Sequence, residues 1–230
     1  LGAFGITMMA LSNVFVGGRL HFSAAGNQAA RSYENGFNGS VSNFFGLLGG
    51  RMHAWDGSDD VYWQFNLPNN ARLQLAFQWN DPHFGVSGAP GAQTDMGIAI
   101  VNSVPAILAS SNTANVGGNP VEVVSYTNTT GAAQTVWVTV EHMAGPFPVR
   151  MKWVRFTNNQ TFNEYSNLET HPTIFGTPNG TNTVAVAAAF YGQTPDFGTN
   201  PAVAEPFTSL GATPIVYNLA GGVNAPALVR

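Results

Sequence analysis

Hydrophobic and polar positions change rhythm twice along these 230 residues. The segment Ile6 to Val16 has mixed apolar spacing and predicts a helix, which Gly17-Gly18 terminates. The run Arg19 to Ala25 is short and largely apolar, and predicts a buried strand feeding a turn at Gly26-Asn27. A helix followed by a buried strand is half of a βαβ unit, whose strands are parallel. From about residue 50 the period becomes two. Val61 to Leu67 alternates, and so does Arg72 to Trp79, where Leu73, Leu75, Phe77 and Trp79 share one face. Met96 to Val101, Val121 to Tyr126, Thr135 to Val140 and Arg150 to Phe156 continue the series. Turn residues separate them at Pro68-Asn69-Asn70, Gly117-Gly118-Asn119-Pro120 and Thr129-Thr130-Gly131. Short strands at such spacing predict a β-sandwich or jelly roll. After a loop-rich stretch, Thr183 to Ala189 predicts a second buried strand of the first kind. The expected fold is therefore a partial α/β parallel sheet interrupted by an inserted all-β module. Its segments are residues 1–43, the sandwich at 44–157, and a return to the α/β part at 158–230.

Composition fits a β-rich, turn-rich chain. Hydrophobic residues make up 44%, enough for a core, while charged residues are only 9%, against about 25% in an average domain. Eight basic and twelve acidic residues give a net charge of −4. No basic stripe is present, which argues against nucleic acid as a partner. No apolar run approaches the roughly 18–20 residues of a membrane span. Cysteine is absent, which removes disulfides, thiolate metal sites and a cysteine nucleophile together. No basic segment precedes an apolar stretch near Leu1, so no signal peptide is visible. The chain closes inside the apolar segment Leu228-Val229-Arg230, and both ends read as cut.

The sharpest candidate chemistry is Ser23-Ala24-Ala25-Gly26-Asn27. An asparagine at the end of a strand, after small residues, can aim its amide N–H at a pocket. Acyl transfer needs such a donor, because negative charge develops on the carbonyl oxygen in the transition state. Small preceding residues let a substrate come close. Taken alone, the same residues also make a plain strand-to-turn corner.

In context, this segment resembles the subtilisin-like serine proteases. There a helix leads to a buried strand ending in small-small-Gly-Asn, whose asparagine completes the oxyanion hole. The resemblance implies Asn27 as the oxyanion donor and Ala24, Ala25 and Gly26 as a wall of the substrate pocket. Downstream, Asn182 to Ala188 is similar to the next core strand. Glu205 to Pro214 resembles the phenylalanine-serine-serine-x-glycine-proline segment ahead of the nucleophile, with departures at Thr208, Leu210 and Ala212. Some bacterial members carry a jelly roll directly after the asparagine. Its marks look similar to Phe77-Gln78-Trp79-Asn80-Asp81-Pro82, Asp95-Met96-Gly97-Ile98 and Val124-Ser125-Tyr126-Thr127-Asn128. The resemblance spans about residues 6 to 215. It implies a secreted, extracellular endopeptidase with peptide or protein substrates and no required cofactor. It further requires that 19–25 and 183–189 pair in parallel, and that Asn27 face an open groove.

The triad motifs of that family do not occur: no Asp-Ser/Thr-Gly, no His-Gly-Thr-His and no Gly-Thr-Ser-Met-Ala. The chain is therefore expected to be inactive alone, contributing the oxyanion side of the cleft. Of the five histidines, His21 reads as a strand-edge residue, and His83 and His142 read as surface residues. Asp56, Asp59 and Asp60 form either a solvated turn or an incomplete calcium loop; Asp81 and Asp95 are a candidate calcium pair across the sandwich end. Trp55, Trp63, Trp79, Trp137 and Trp153 fit core packing, with a sugar-stacking platform as the alternative. The competing function is a non-catalytic sandwich that binds carbohydrate or protein.

Overall fold

The structure is a computed structural model that describes residues 20–103, 106–157, 169–180, 183–218 and 220–228. The helix expected over 6–16 lies outside them. The strands in chain order begin with β1 (His21–Ala24), β2 (Ser32–Asn35), β3 (Arg51–Met52), β4 (Trp63–Leu67), β5 (Arg72–Trp79) and β6 (Asp95–Val101). They continue with β7 (Ile107–Ser111), β8 (Val121–Thr127), β9 (Gln134–Ala144), β10 (Met151–Thr157), β11 (Thr183–Val186), β12 (Ile215–Tyr217) and β13 (Val223–Leu228). The chain divides into two compact units. One is Ser32–Thr170; the other joins the segment up to Arg31 with His171 onward.

The continuous unit is built from two antiparallel sheets. One has the order β2-β10-β5-β8, the other β3-β9-β6-β7, with β4 also paired to β9. Period-two alternation puts Leu73, Leu75, Phe77 and Trp79 of β5 into the core. Phe65, Ile98, Val138 and Trp153 from the neighbouring strands join them. Each large apolar side chain removed from water contributes about 1.5–3 kcal/mol. Trp63 links the aromatic part of this core, edge-on to Trp55 at 5.1 Å and to Trp153 at 5.2 Å. Trp55, Trp63, Trp79 and Trp153 are all buried, so these four rings form no sugar platform.

Three short strands have no period-two signature. β2 precedes residue 44, yet pairs with β10 over Asn35↔Met151 to Ser32↔Val154, so the antiparallel sheet takes in residues 32–35. Its Ser-Tyr-Glu-Asn sequence gives no hydrophobic alternation. Tyr33 enters the core beside Trp55, Trp63 and Trp153, and Glu34 accepts from buried Lys152 at 2.8 Å and also pairs with Arg150. β3 has only two residues. β7 is half-exposed.

In the other unit β1 and β11 pair in parallel, from His21↔Thr183 to Ala24↔Val186. β12 and β13 form a separate antiparallel pair. The expectation that 19–25 and 183–189 are buried strands is corrected here. Phe22 is 61% exposed, and Val184 and Val186 are exposed too. The register places Phe22 beside Val184 and Ala24 beside Val186. The alternation thus collects their apolar side chains on one open face of a two-stranded ribbon. Across the whole, strands dominate and most pairings are antiparallel.

Candidate functional site

The parallel pair ends in a tightly fixed corner. Ala25 N–H donates to Val186 O at 2.9 Å, carrying the ladder one residue past β1. Gly26 then takes φ +105°, a conformation that strains any residue with a Cβ. A Cβ there would also meet Ser209 Oγ at 2.9 Å. Ser209, nearly buried, closes the corner from the far end of the sequence. Its N–H donates to Gly26 O at 2.9 Å, and its Oγ accepts from Gln28 N–H at 3.1 Å. Ala29 N–H donates to Phe207 O at 2.9 Å. Thr173 adds a hydroxyl bond to Ala29 O, and its N–H donates to Leu210 O at 2.9 Å.

Asn27 sits on this corner with its backbone N–H on Gln28 Oε1 at 3.1 Å. Its side chain is exposed and makes no hydrogen bond among the described residues. The peptide frame is thus bonded in place, while the side-chain amide is exposed and unbonded. Of the other candidates, Ala25 is buried against the ladder, Gly26 is half-buried and Ala24 is exposed. Sequence reasoning missed the involvement of Ser209. The signal was its place in the segment 205–214 singled out in the sequence, whose hydroxyl had no assigned partner.

Asp81 and Asp95 lie in the sandwich. Asp81 Oδ2 accepts from Trp79 Nε1 at 3.1 Å, Gln93 N–H at 3.0 Å and Thr94 N–H at 2.8 Å. Asp95 Oδ1 accepts from Asn115 N–H at 3.1 Å. Each carboxylate therefore ties a loop to a strand end. No cluster of three or more His, Cys, Asp or Glu residues suited to a metal occurs among the described residues. Asp56 and Asp59 are exposed, and bonds from Ser58 and Ser42 respectively hold their carboxyls below the usual range. The Asn128 amide is buried and donates to Leu67 O at 2.8 Å and Ala132 O at 2.7 Å, fixing the turn after β8.

The histidines behave differently from the sequence expectation. His83 is buried, not a surface residue, and burial pushes its pKa down to about 4. His53 is fully buried. Its Nδ1 accepts from Asn38 N–H at 3.0 Å, which leaves Nε2–H to donate to Tyr33 Oη at 2.8 Å. Burial pushes its pKa down to about 3. It is a neutral core residue rather than a base. Glu141 is buried on the opposite face of β9 from His142. It accepts from Leu48 N–H at 3.1 Å and Gly50 N–H at 2.9 Å, and desolvation raises its pKa against those bonds.

No protein-family model matches the chain, and no curated protein matches it. No described helix is long and apolar enough to cross a membrane.

Proposed function

We propose that this chain forms the oxyanion side of the substrate cleft in a secreted subtilisin-like serine endopeptidase, with the sandwich inserted after the oxyanion asparagine. The observation that carries the reading is the Gly26-Asn27 corner. It ends a parallel strand pair and is bonded to Phe207 and Ser209, inside the second segment that resembles the family. Two stretches about 180 positions apart, both of which resemble the family in sequence, thus meet at one corner, which supports the reading. In the complete enzyme a serine attacks the scissile carbonyl and a histidine takes its proton. The Asn27 amide donates to the oxygen as it becomes negative. Ala24 and Gly26 leave room for a substrate side chain beside it.

The chain holds none of the three triad motifs, so the purified 230-residue protein is expected to show no peptide hydrolysis. Turnover of a generic peptide substrate, blocked by a serine-directed inhibitor, would overturn that expectation. The coding sequence on either side supplies the parallel test. A Gly-Thr-Ser-Met-Ala motif within about one domain length downstream, about 100–150 residues, supports the reading. Unrelated flanks on both sides remove it.

A further inference from the structure

The sandwich carries a feature that the peptidase reading does not use. A groove of about 500 Å³ is lined by Phe45, Arg51, His142 and Phe147, with glycine backbone at Gly49 and Gly145. This lies within the roughly 300–1,000 Å³ range of small-ligand sites. Arg51 and His142 are cross-strand partners in β3 and β9. The His142 ring packs edge-on to Phe147 at 4.6 Å, and its Nε2 is bonded to Gly145 O at 3.0 Å. That nitrogen is therefore engaged within the protein.

Arg51 differs. Its guanidinium carbon lies 5.4 Å from the centre of the Phe147 ring. On another side the group presses against Gly39, where any Cβ would overlap it. Its one hydrogen bond among the described residues is a long one, Nη2 to Ser40 O at 3.4 Å. No described carboxylate pairs with it; Glu141, its nearest neighbour in sequence register, turns to the other face and is held by the loop above. A planar cation is thus fixed on an aromatic ring without an anion. Its Nε is buried, which leaves the Nη groups to reach a ligand, and charge-assisted bonds from them suit a carboxylate.

The remaining lining decides what carries that carboxylate. Phe45 is 72% exposed, and Phe147 is exposed as well. A sugar would bring several hydroxyls to a groove whose one charged side chain is Arg51 and whose remaining lining is largely apolar, so few of them would gain a partner. An apolar side chain next to a single carboxylate leaves nothing unpaired. We propose that this groove binds the free C-terminal carboxylate of a peptide whose last side chain is apolar. Arg51 takes the carboxylate, and Phe45 and Phe147 cover the side chain.

The test is calorimetric titration of the whole chain with a short peptide ending in leucine, as the free acid and as the C-terminal amide. The acid is expected to bind at least tenfold more tightly than the amide. Arg51→Gln is expected to bind both at the amide's level. Phe45→Ala should weaken both and leave their ratio intact. Equal binding of acid and amide to the wild-type chain overturns the proposal without reference to any variant. So does the absence of acid binding at millimolar peptide, or binding of a uronic-acid oligosaccharide in place of the peptide acid. An Arg51→Gln chain that keeps the acid preference also overturns it.

Discussion

The two units of this chain treat their apolar residues in opposite ways. In the sandwich, Trp63 and Trp153 are 0% exposed and the aromatic rings interlock edge to face. In the unit built on the parallel pair, Phe22, Tyr191, Phe197 and Val223 are all exposed. Yet both units carry hydrogen-bond frames, and the Gly26–Ser209 corner is held by bonds of 2.9 and 3.1 Å. Backbone order and apolar burial are therefore separable here. The sandwich is stabilised by its core, whereas the corner is held by directional bonds with little burial behind them.

The contrast breaks most directly in the sandwich core, where a single side chain matters most. Trp153→Ala is expected to destabilise the sandwich by about 3–5 kcal/mol in urea unfolding, while Phe22→Ala should stay within about 0.5 kcal/mol. Similar costs for both would erase the distinction between the units. The next effect is pH-dependent. The folded pKa of His53 is lowered to about 3, while the unfolded value is about 6.5. The unfolded chain therefore binds the proton first, and stability present above about pH 6.5 is lost as pH falls toward 3. Between pH 6.5 and 4.5 the loss from this residue is about 2–3 kcal/mol, and His53→Gln should flatten the slope by that amount. Glu141 acts with the opposite sign, because its raised pKa favours the folded state at low pH. Comparing the two slopes separates His53 from it; parallel slopes would contradict the assignment.

A smaller effect is expected at the corner. Gly26→Ala forces a Cβ into positive φ and against Ser209, at a cost of about 1–3 kcal/mol. It should appear as faster hydrogen exchange at the Ser209 amide, with exchange in β5 and β9 unchanged. Asn27→Ala should be the mildest for folding, within about 0.5 kcal/mol, because its amide bonds nothing among the described residues.

Regular alternation made β5 readable to the residue, since Arg72–Trp79 is the segment expected from its pattern. β9 runs further than expected, to Ala144, because Glu141 and His142 break the hydrophobic pattern while the loop at Leu48–Gly50 buries the carboxylate. β2 was illegible for a related reason. Its one core side chain is Tyr33, and its Glu34 meets Lys152 from 118 positions away; no local pattern encodes such partners. At the candidate site, the Ala-Ala-Gly-Asn corner stood out because its residue types are constrained by chain geometry. The Ser209 contact did not, since a hydroxyl carries no period. The Arg51 groove has no sequence signature, because an arginine after two glycines looks like any solvated loop until Phe147 is folded over it.

Under the proposed function, the most direct measurement is turnover by the proposed full-length peptidase, compared with its Asn27→Ala form. For the subtilisin asparagine that Asn27 is proposed to match, removal lowers kcat by about 100–1,000-fold, and a loss of that order with KM nearly unchanged is the result predicted here. An unchanged kcat, or a loss confined to KM, would contradict the assignment of Asn27 as the donor to the developing oxyanion.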